Sequence, residues 1–130
     1  MKYLINYIED GMSALLEEHG AFYAFSNKQF DEAAKEGVKY TNMGNGLICP
    51  KENADKLFKG LEENLDKGIK QDIEENGLEA IIRRELYNHE AFYTYSVTST
   101  VEALELYEDI SKEDIIRVFN KEYPKAAKHL

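Results

Sequence analysis

The sequence predicts an α+β domain in which a small sheet of about four strands packs against one long helix and several shorter ones. Three observations carry that expectation. Ala54, Leu57, Phe58, Leu61, Leu65, Ile69 and Ile73 recur at the spacing of an amphipathic helix. Two aromatic runs, AFYAFS at Ala21–Ser26 and AFYTYS at Ala91–Ser96, have strand composition. Between Val38 and Cys49, the triplet Gly44-Asn45-Gly46 offers residues that tolerate positive φ, as a β-hairpin turn requires. The aromatic runs belong to a longer echo. Each follows a histidine, His19 or His89, with Leu16 or Leu86 three residues before it and Glu32-Ala33 or Glu102-Ala103 at one common offset beyond. This predicts a helix–strand–helix pseudo-repeat.

Taken in order, Leu4 or Ile5, Ile8, Met12 and Leu15 predict a first helix over about Tyr3–Glu18, stopped by Gly20. In the strand Ala21–Ser26, alternation sends Tyr23 and Phe25 to one face and Phe22 and Ala24 to the other. Ser26 with Gln29 has capping-box spacing and opens a short helix ending at Gly37. After the hairpin, Pro50 suits a helix first turn, and the long helix runs over about Lys51–Asn76. Gly60 and Gly68 inside it each cost about 1 kcal/mol relative to alanine, which suggests a kink or a close packing contact. Gly77 ends it, and Leu78–Asn88 resumes with Leu78, Ile81, Ile82 and Leu86 inward. Ala91–Ser96 is the fourth strand, and Ser99 with Glu102 caps a short helix to about Tyr107. Ser111 with Asp114 caps the last helix, which runs to about Tyr123 before Pro124 and a frayed tail over 124–130.

A chain of 130 residues, 43% of them hydrophobic, is expected to form a single domain over residues 1–130. Its 25 acidic residues against 16 basic ones leave a formal charge of −9, which opposes direct binding to a phosphate backbone. The lone Cys49 excludes an internal disulfide and a cysteine-based zinc site, and it fits a reducing, cytoplasmic compartment. MKYLINYIEDG lacks an uninterrupted apolar core, and no stretch approaches the ~18 apolar residues of a membrane span, so neither signal peptide nor membrane association is expected.

Among candidate sites, Arg83, Arg84, Glu85, Asn88, His89 and Glu90 form the densest polar cluster, where a helix gives way to a predicted strand. Glu85 and His89 are one helical turn apart and suit a general acid–base pair, while the arginines suit a bound carboxylate or phosphate. The plainer reading is a helix face with ordinary surface ion pairs. His19 and His89 invite comparison as metal ligands. Neither has a metal-motif spacing, and each sits where a helix ends and a cation is favoured, so no metal and no cofactor is expected. Cys49 precedes a helix N-terminus that lowers a thiol pKa, as a nucleophile requires, but it also continues the apolar run Leu47-Ile48 and so reads as core. The lone Gly44–Gly46 pair lacks the rest of a phosphate loop. Tyr23, Phe25, Tyr93 and Tyr95 resemble a base-stacking platform without its basic surround, and a core or subunit interface fits them better.

The segments EHGAFYAFSNKQF, NGLICPKENA and IIRRELYNHEAFYT together resemble a family of small acidic bacterial proteins found in prophage or mobile-element neighbourhoods, over about residues 10–105. That resemblance implies no activity. It directs attention to Asn45, to Cys49–Asn53 and to Arg83–Glu90.

With no complete catalytic constellation, the sequence points to a cytoplasmic, non-enzymatic accessory protein that acts by protein contact, with a homodimer as one form of that contact. Two alternatives come from other classes. One is a small enzyme or ligand-binding domain using Arg84, Glu85 and His89. The other is an acidic DNA-mimicking inhibitor presenting Glu102, Glu105, Glu108, Asp109, Glu113 and Asp114 together with the acids of the long helix.

Overall fold

Seven helices and one three-stranded antiparallel sheet make up the computed structural model, which describes residues 1–130. The chain divides into two compact units, Met1–Gly68 and Ile69–Leu130.

The first unit opens with α1 (Leu4–His19). Gly20 closes it in the left-handed conformation at φ 71°, and Ala21 N–H returns 2.8 Å to the Leu16 carbonyl, the bonding of a Schellman stop. β1 is only Phe22–Tyr23. Ser26 then caps α2 (Asn27–Ala33) by accepting from Gln29 N–H at 3.1 Å, while the Gln29 side chain accepts from Phe25 N–H at 2.7 Å. The hairpin forms as its turn residues require. β2 (Tyr40–Asn42) pairs with β3 (Leu47–Pro50), and Gly44, Asn45 and Gly46 take φ values of 102°, 53° and 82° in the loop. β3 is central, with Phe22 opposite Ile48 on one side and Thr41 opposite Cys49 on the other. A single 3₁₀ turn, Lys51–Asn53, leads into α3 (Ala54–Asn76).

Glycines set how closely α1 and the first part of α3 approach. A Cβ at Gly60 would lie 2.9 Å from Leu15 Cδ2, one at Gly68 would collide with Ile8 Cγ2, and one at Gly11 would collide with the Asn64 side chain. Asn64 uses that space to donate to the Ile8 carbonyl at 2.9 Å. The two interior glycines of α3 are therefore packing contacts.

The second unit takes the rest of α3, then α4 (Leu78–Asn88), α5 (Ala91–Thr94), α6 (Thr98–Ala103) and α7 (Lys112–Ala127). Ile81, Ile82, Leu86, Leu104, Ile115 and Val118 are buried in its core. The expected fourth strand is absent: Ala91–Thr94 is one turn of helix, bracketed by Glu90 at φ 53° and Tyr95 at φ 55°. A strand needs a partner, and β1 has one in β3, whereas Phe92 instead stacks on Phe119 at 5.1 Å and meets Tyr87 at 4.9 Å. With one copy a strand and the other a helical turn, the aromatic echo is not a structural repeat. Ser99 lies inside α6, so it does not cap that helix. The Ser111–Asp114 capping box does form, with Ser111 N–H 3.0 Å from Asp114 Oδ2 and Asp114 N–H 3.1 Å from Ser111 Oγ. α7 passes through Pro124 to Ala127, beyond the expected stop at Tyr123, and buries Ala126.

Gly68→Ala is expected to lower stability by about 1–3 kcal/mol in urea unfolding, because the β-branched Ile8 cannot swing away. Gly60→Ala, which meets only the end of a leucine, is expected to cost less. A rise in stability for Gly68→Ala, as helix propensity alone predicts, would contradict the packing role.

Candidate functional site

One acid on α3 organises the polar interior of the second unit. Asp72 follows Leu65 by seven residues and Ile69 by three, which puts it on the apolar face of the helix, and it is fully buried. A carboxylate placed there must be paired. Arg84 supplies a bidentate clasp, Nη1 to Oδ1 at 2.9 Å and Nη2 to Oδ2 at 3.0 Å. Tyr107 donates to Oδ2 at 2.5 Å and Asn76 to Oδ1 at 2.7 Å. Burial by itself raises the Asp72 pKa, but the hydrogen bonds from Arg84, Tyr107 and Asn76, with the Arg84 charge, outweigh it and hold the carboxyl below its ordinary range. Burial and the bond to Asp72 push the Tyr107 phenol well above its ordinary value. No motif in the sequence marks Asp72 or Tyr107; the one signal it holds is an acid lying within an apolar stripe.

The clasp decides where the predicted cluster points. Arg84 is buried on Asp72, whereas Arg83, its neighbour a further ~100° around α4, sits 3.4 Å from Glu122 and 4.0 Å from Glu79. The two arginines therefore do not converge on a common ligand. Glu85 is buried too, with Oε1 3.6 Å from Arg84 Nε and Oε2 4.0 Å from His89 Nε2. That Oε2 has no hydrogen-bond partner. His89 ends α4, its N–H bonded to the Glu85 carbonyl at 3.0 Å, and Thr100 Oγ1 donates to the same carbonyl at 3.3 Å. Asn88 and Glu90 are exposed. His19 ends α1 in the first unit, with Nδ1 2.9 Å from the Leu15 carbonyl and its own carbonyl accepting from Asn53 at 3.0 Å. Cys49 is fully buried on β3, and burial pushes its thiol pKa up, away from the reactive thiolate.

The first unit carries an apolar groove of about 320 Å³. Met12, Met43, Leu47, Phe58 and Leu61 line it, with Tyr23 and Glu62 also in its wall. Phe58 is 57% exposed and Tyr23 48%. Tyr23 stacks on Phe25 at 6.1 Å, and Phe25 lies over Gly46, where any Cβ would strike its ring. Gly46 thus seats an aromatic ledge beside the groove. In the second unit Tyr93 and Tyr95 are the most exposed aromatics, and Tyr95 packs edge-on against Phe119 and Tyr123.

A family profile matches residues 4–129, which is nearly the whole chain. The chain belongs to DUF7659, a family of unknown function. No curated protein and no solved structure matches it. For this DUF7659 chain the chemistry must therefore be read from its own side chains. No helix is long and apolar enough to cross a membrane.

Asp72→Asn is expected to destabilise the protein by about 3 kcal/mol at pH 7 in urea unfolding, because it removes the bidentate counter-charge of buried Arg84 and leaves it the more distant carboxylate of Glu85, at 3.6 Å. The Asp72 pKa is depressed on folding, so its contribution is fully present above the unfolded value of about 3.9 and is lost as pH falls through the lower folded value. The difference between wild type and Asp72→Asn should accordingly shrink below about pH 4. A pH-independent difference would mean that Asp72 does not titrate as a paired carboxylate.

Proposed function

We propose that this DUF7659 protein is a non-enzymatic accessory protein that works by binding another protein. The observation that carries this reading is the apolar groove of the first unit, in which Phe58 and Tyr23 expose aromatic surface. The polar side chains give indirect support. Arg83 and Arg84, the groups best suited to hold an anionic substrate, are engaged by Glu79, Glu122 and Asp72. A buried, reduced Cys49 suits a cytoplasmic setting, and the resemblance to proteins of prophage and mobile-element neighbourhoods suits an accessory role there. The test is affinity isolation from the native host at physiological salt, followed by reconstitution with the purified partner. One protein retained in stoichiometric amount and co-eluting in gel filtration is the expected result. Retention no greater than that of a tag-only control would end this reading.

A second reading keeps Glu85 and His89 as an acid–base pair with Arg84 behind them. It is favoured by the buried Glu85 Oε2, which has no hydrogen-bond donor and faces His89 at 4.0 Å. A thermal-shift panel of small carboxylates and phosphates tests it. Stabilisation by one of these that Glu85→Gln or His89→Ala abolishes is the outcome this reading requires. Uniform indifference across the panel would remove it.

A further inference from the structure

We infer that the groove of the first unit takes an amphipathic helix carrying basic residues beside its apolar face, an inference that rests on the protein-binding reading above. The lining sets the apolar part. Met12 and Met43, unbranched and polarisable, stand beside Phe58, Leu47 and Leu61, the composition of a surface that adapts to an apolar helix face. The groove has no cation in its wall to receive an acidic ligand, and its one ionised wall residue is Glu62.

Helical spacing extends that charge asymmetry along α3. Asp55 and Glu62, at i−3 and i+4 from Phe58, share its side of the helix and are exposed. Lys59 is exposed and lies about 100° around the axis from Phe58, and Lys56 and Lys67 are roughly 160° and 180° away, so the ionised groups that share the Phe58 side most closely are the two acids. The chain as a whole carries −9. A second copy of this chain would bring the same negative field to a groove whose one ionised wall residue is already an acid, whereas a lysine- or arginine-flanked helix meets complementary charge. Electrostatics therefore selects among apolar occupants: a basic amphipathic helix is favoured and self-association is opposed.

The test uses the full-length protein and a labelled peptide of roughly 18 residues, about five helical turns, built only of leucine and lysine with the leucines on one face. Two controls are a scrambled Leu/Lys peptide with no apolar face and a Leu/Glu peptide of the original pattern. In fluorescence anisotropy the patterned Leu/Lys peptide is expected to bind at least tenfold more tightly than either control. Phe58→Asp and Phe58→Ala should each weaken it at least tenfold, and Glu62→Lys should weaken it as well. Tyr93→Ala, in the other unit, should leave it unchanged. Phe58→Asp is the decisive variant because it makes the protein more acidic: non-specific attraction of a cationic peptide predicts tighter binding, and groove docking predicts weaker. Phe58 is largely exposed, so circular dichroism should report an intact fold for both Phe58 variants.

Equal binding by wild type and Phe58→Ala, equal binding of the scrambled peptide, or tight binding of the Leu/Glu peptide would each overturn the inference. So would concentration-dependent self-association that Phe58→Asp abolishes, since a second copy would then be the occupant. The two levels of the reading fail separately. A host partner that binds Phe58→Asp as well as wild type removes the groove and leaves the protein-binding reading intact. Peptide binding as described, with no host partner retained, does the reverse.

Discussion

The second unit depends on a single buried carboxylate. An acid on the apolar face of α3 would be costly if left unpaired, so the surrounding segments are constrained to bring donors to Asp72. α4 must turn Arg84 inward, Tyr107 must reach in from beyond α6, and Asn76 bonds back from one turn further along α3. Each element is thereby fixed in rotation as well as position. Replacing such a network with apolar residues of similar volume is often neutral or stabilising, so the loss expected on breaking it measures the cost of an unpaired buried charge and not the net worth of the network. A slip of α4 by one residue would present Arg83 or Glu85 to Asp72, and neither could also keep Ile81, Ile82 and Leu86 in the core.

The first unit reaches its arrangement by the opposite means, through side chains that are absent. α1 contains no fully buried residue, so it cannot be held by a deep apolar anchor. It is held instead by close approach, with Ile8 against Gly68 and Leu15 against Gly60, and by Asn64 crossing at Gly11 to the Ile8 carbonyl. The helix-propensity cost of two glycines in α3, about 1 kcal/mol each, is offset by dispersion contacts that a Cβ would prevent. Two devices of one hairpin then set the exposed surface: Gly46 leaves room for Phe25, and the turn at Gly44–Gly46 places Met43 beside Phe58 at the groove.

What was legible in the sequence was what local chemistry decides. The α3 stripe, the Gly20 stop, the Ser26 and Ser111 caps and the hairpin triplet all specify their geometry through near neighbours, and all of them form. AFYAFS and AFYTYS show where local reading ends. Nearly the same residues give a strand where β3 offers hydrogen bonds, and a helical turn where Phe92 finds Phe119 and Tyr87. Strand propensity is largely a statement about neighbours, and the neighbours differ. Pro124 reads as a stop yet stands inside α7, where the hydrogen bond it forfeits lies on an exposed face and Ala126 still packs beyond it. In the polar cluster, Arg84 and Glu85 were visible as a charged run, but their burial was not. That follows from Asp72, twelve residues away in sequence, whose place on an apolar stripe was the one signal available.

The pairing of ionisable groups also bears on what this surface can recognise. Arg83, Arg84 and Lys121 are each committed to a carboxylate within the second unit, which withdraws the cations of the polar cluster from a small anionic ligand. The first unit offers exposed apolar area, and the chain as a whole adds a diffuse negative field. These act over different distances. At physiological salt the field is screened within about 8 Å, so it biases encounter and excludes like-charged surfaces without fixing a bound geometry. Geometry must come from contact, and the contact surface contains two methionines and an exposed phenylalanine in place of a rigid polar template. Such a surface would distinguish classes of partner by charge and apolar pattern, and it is poorly suited to distinguishing one side chain from its homologue.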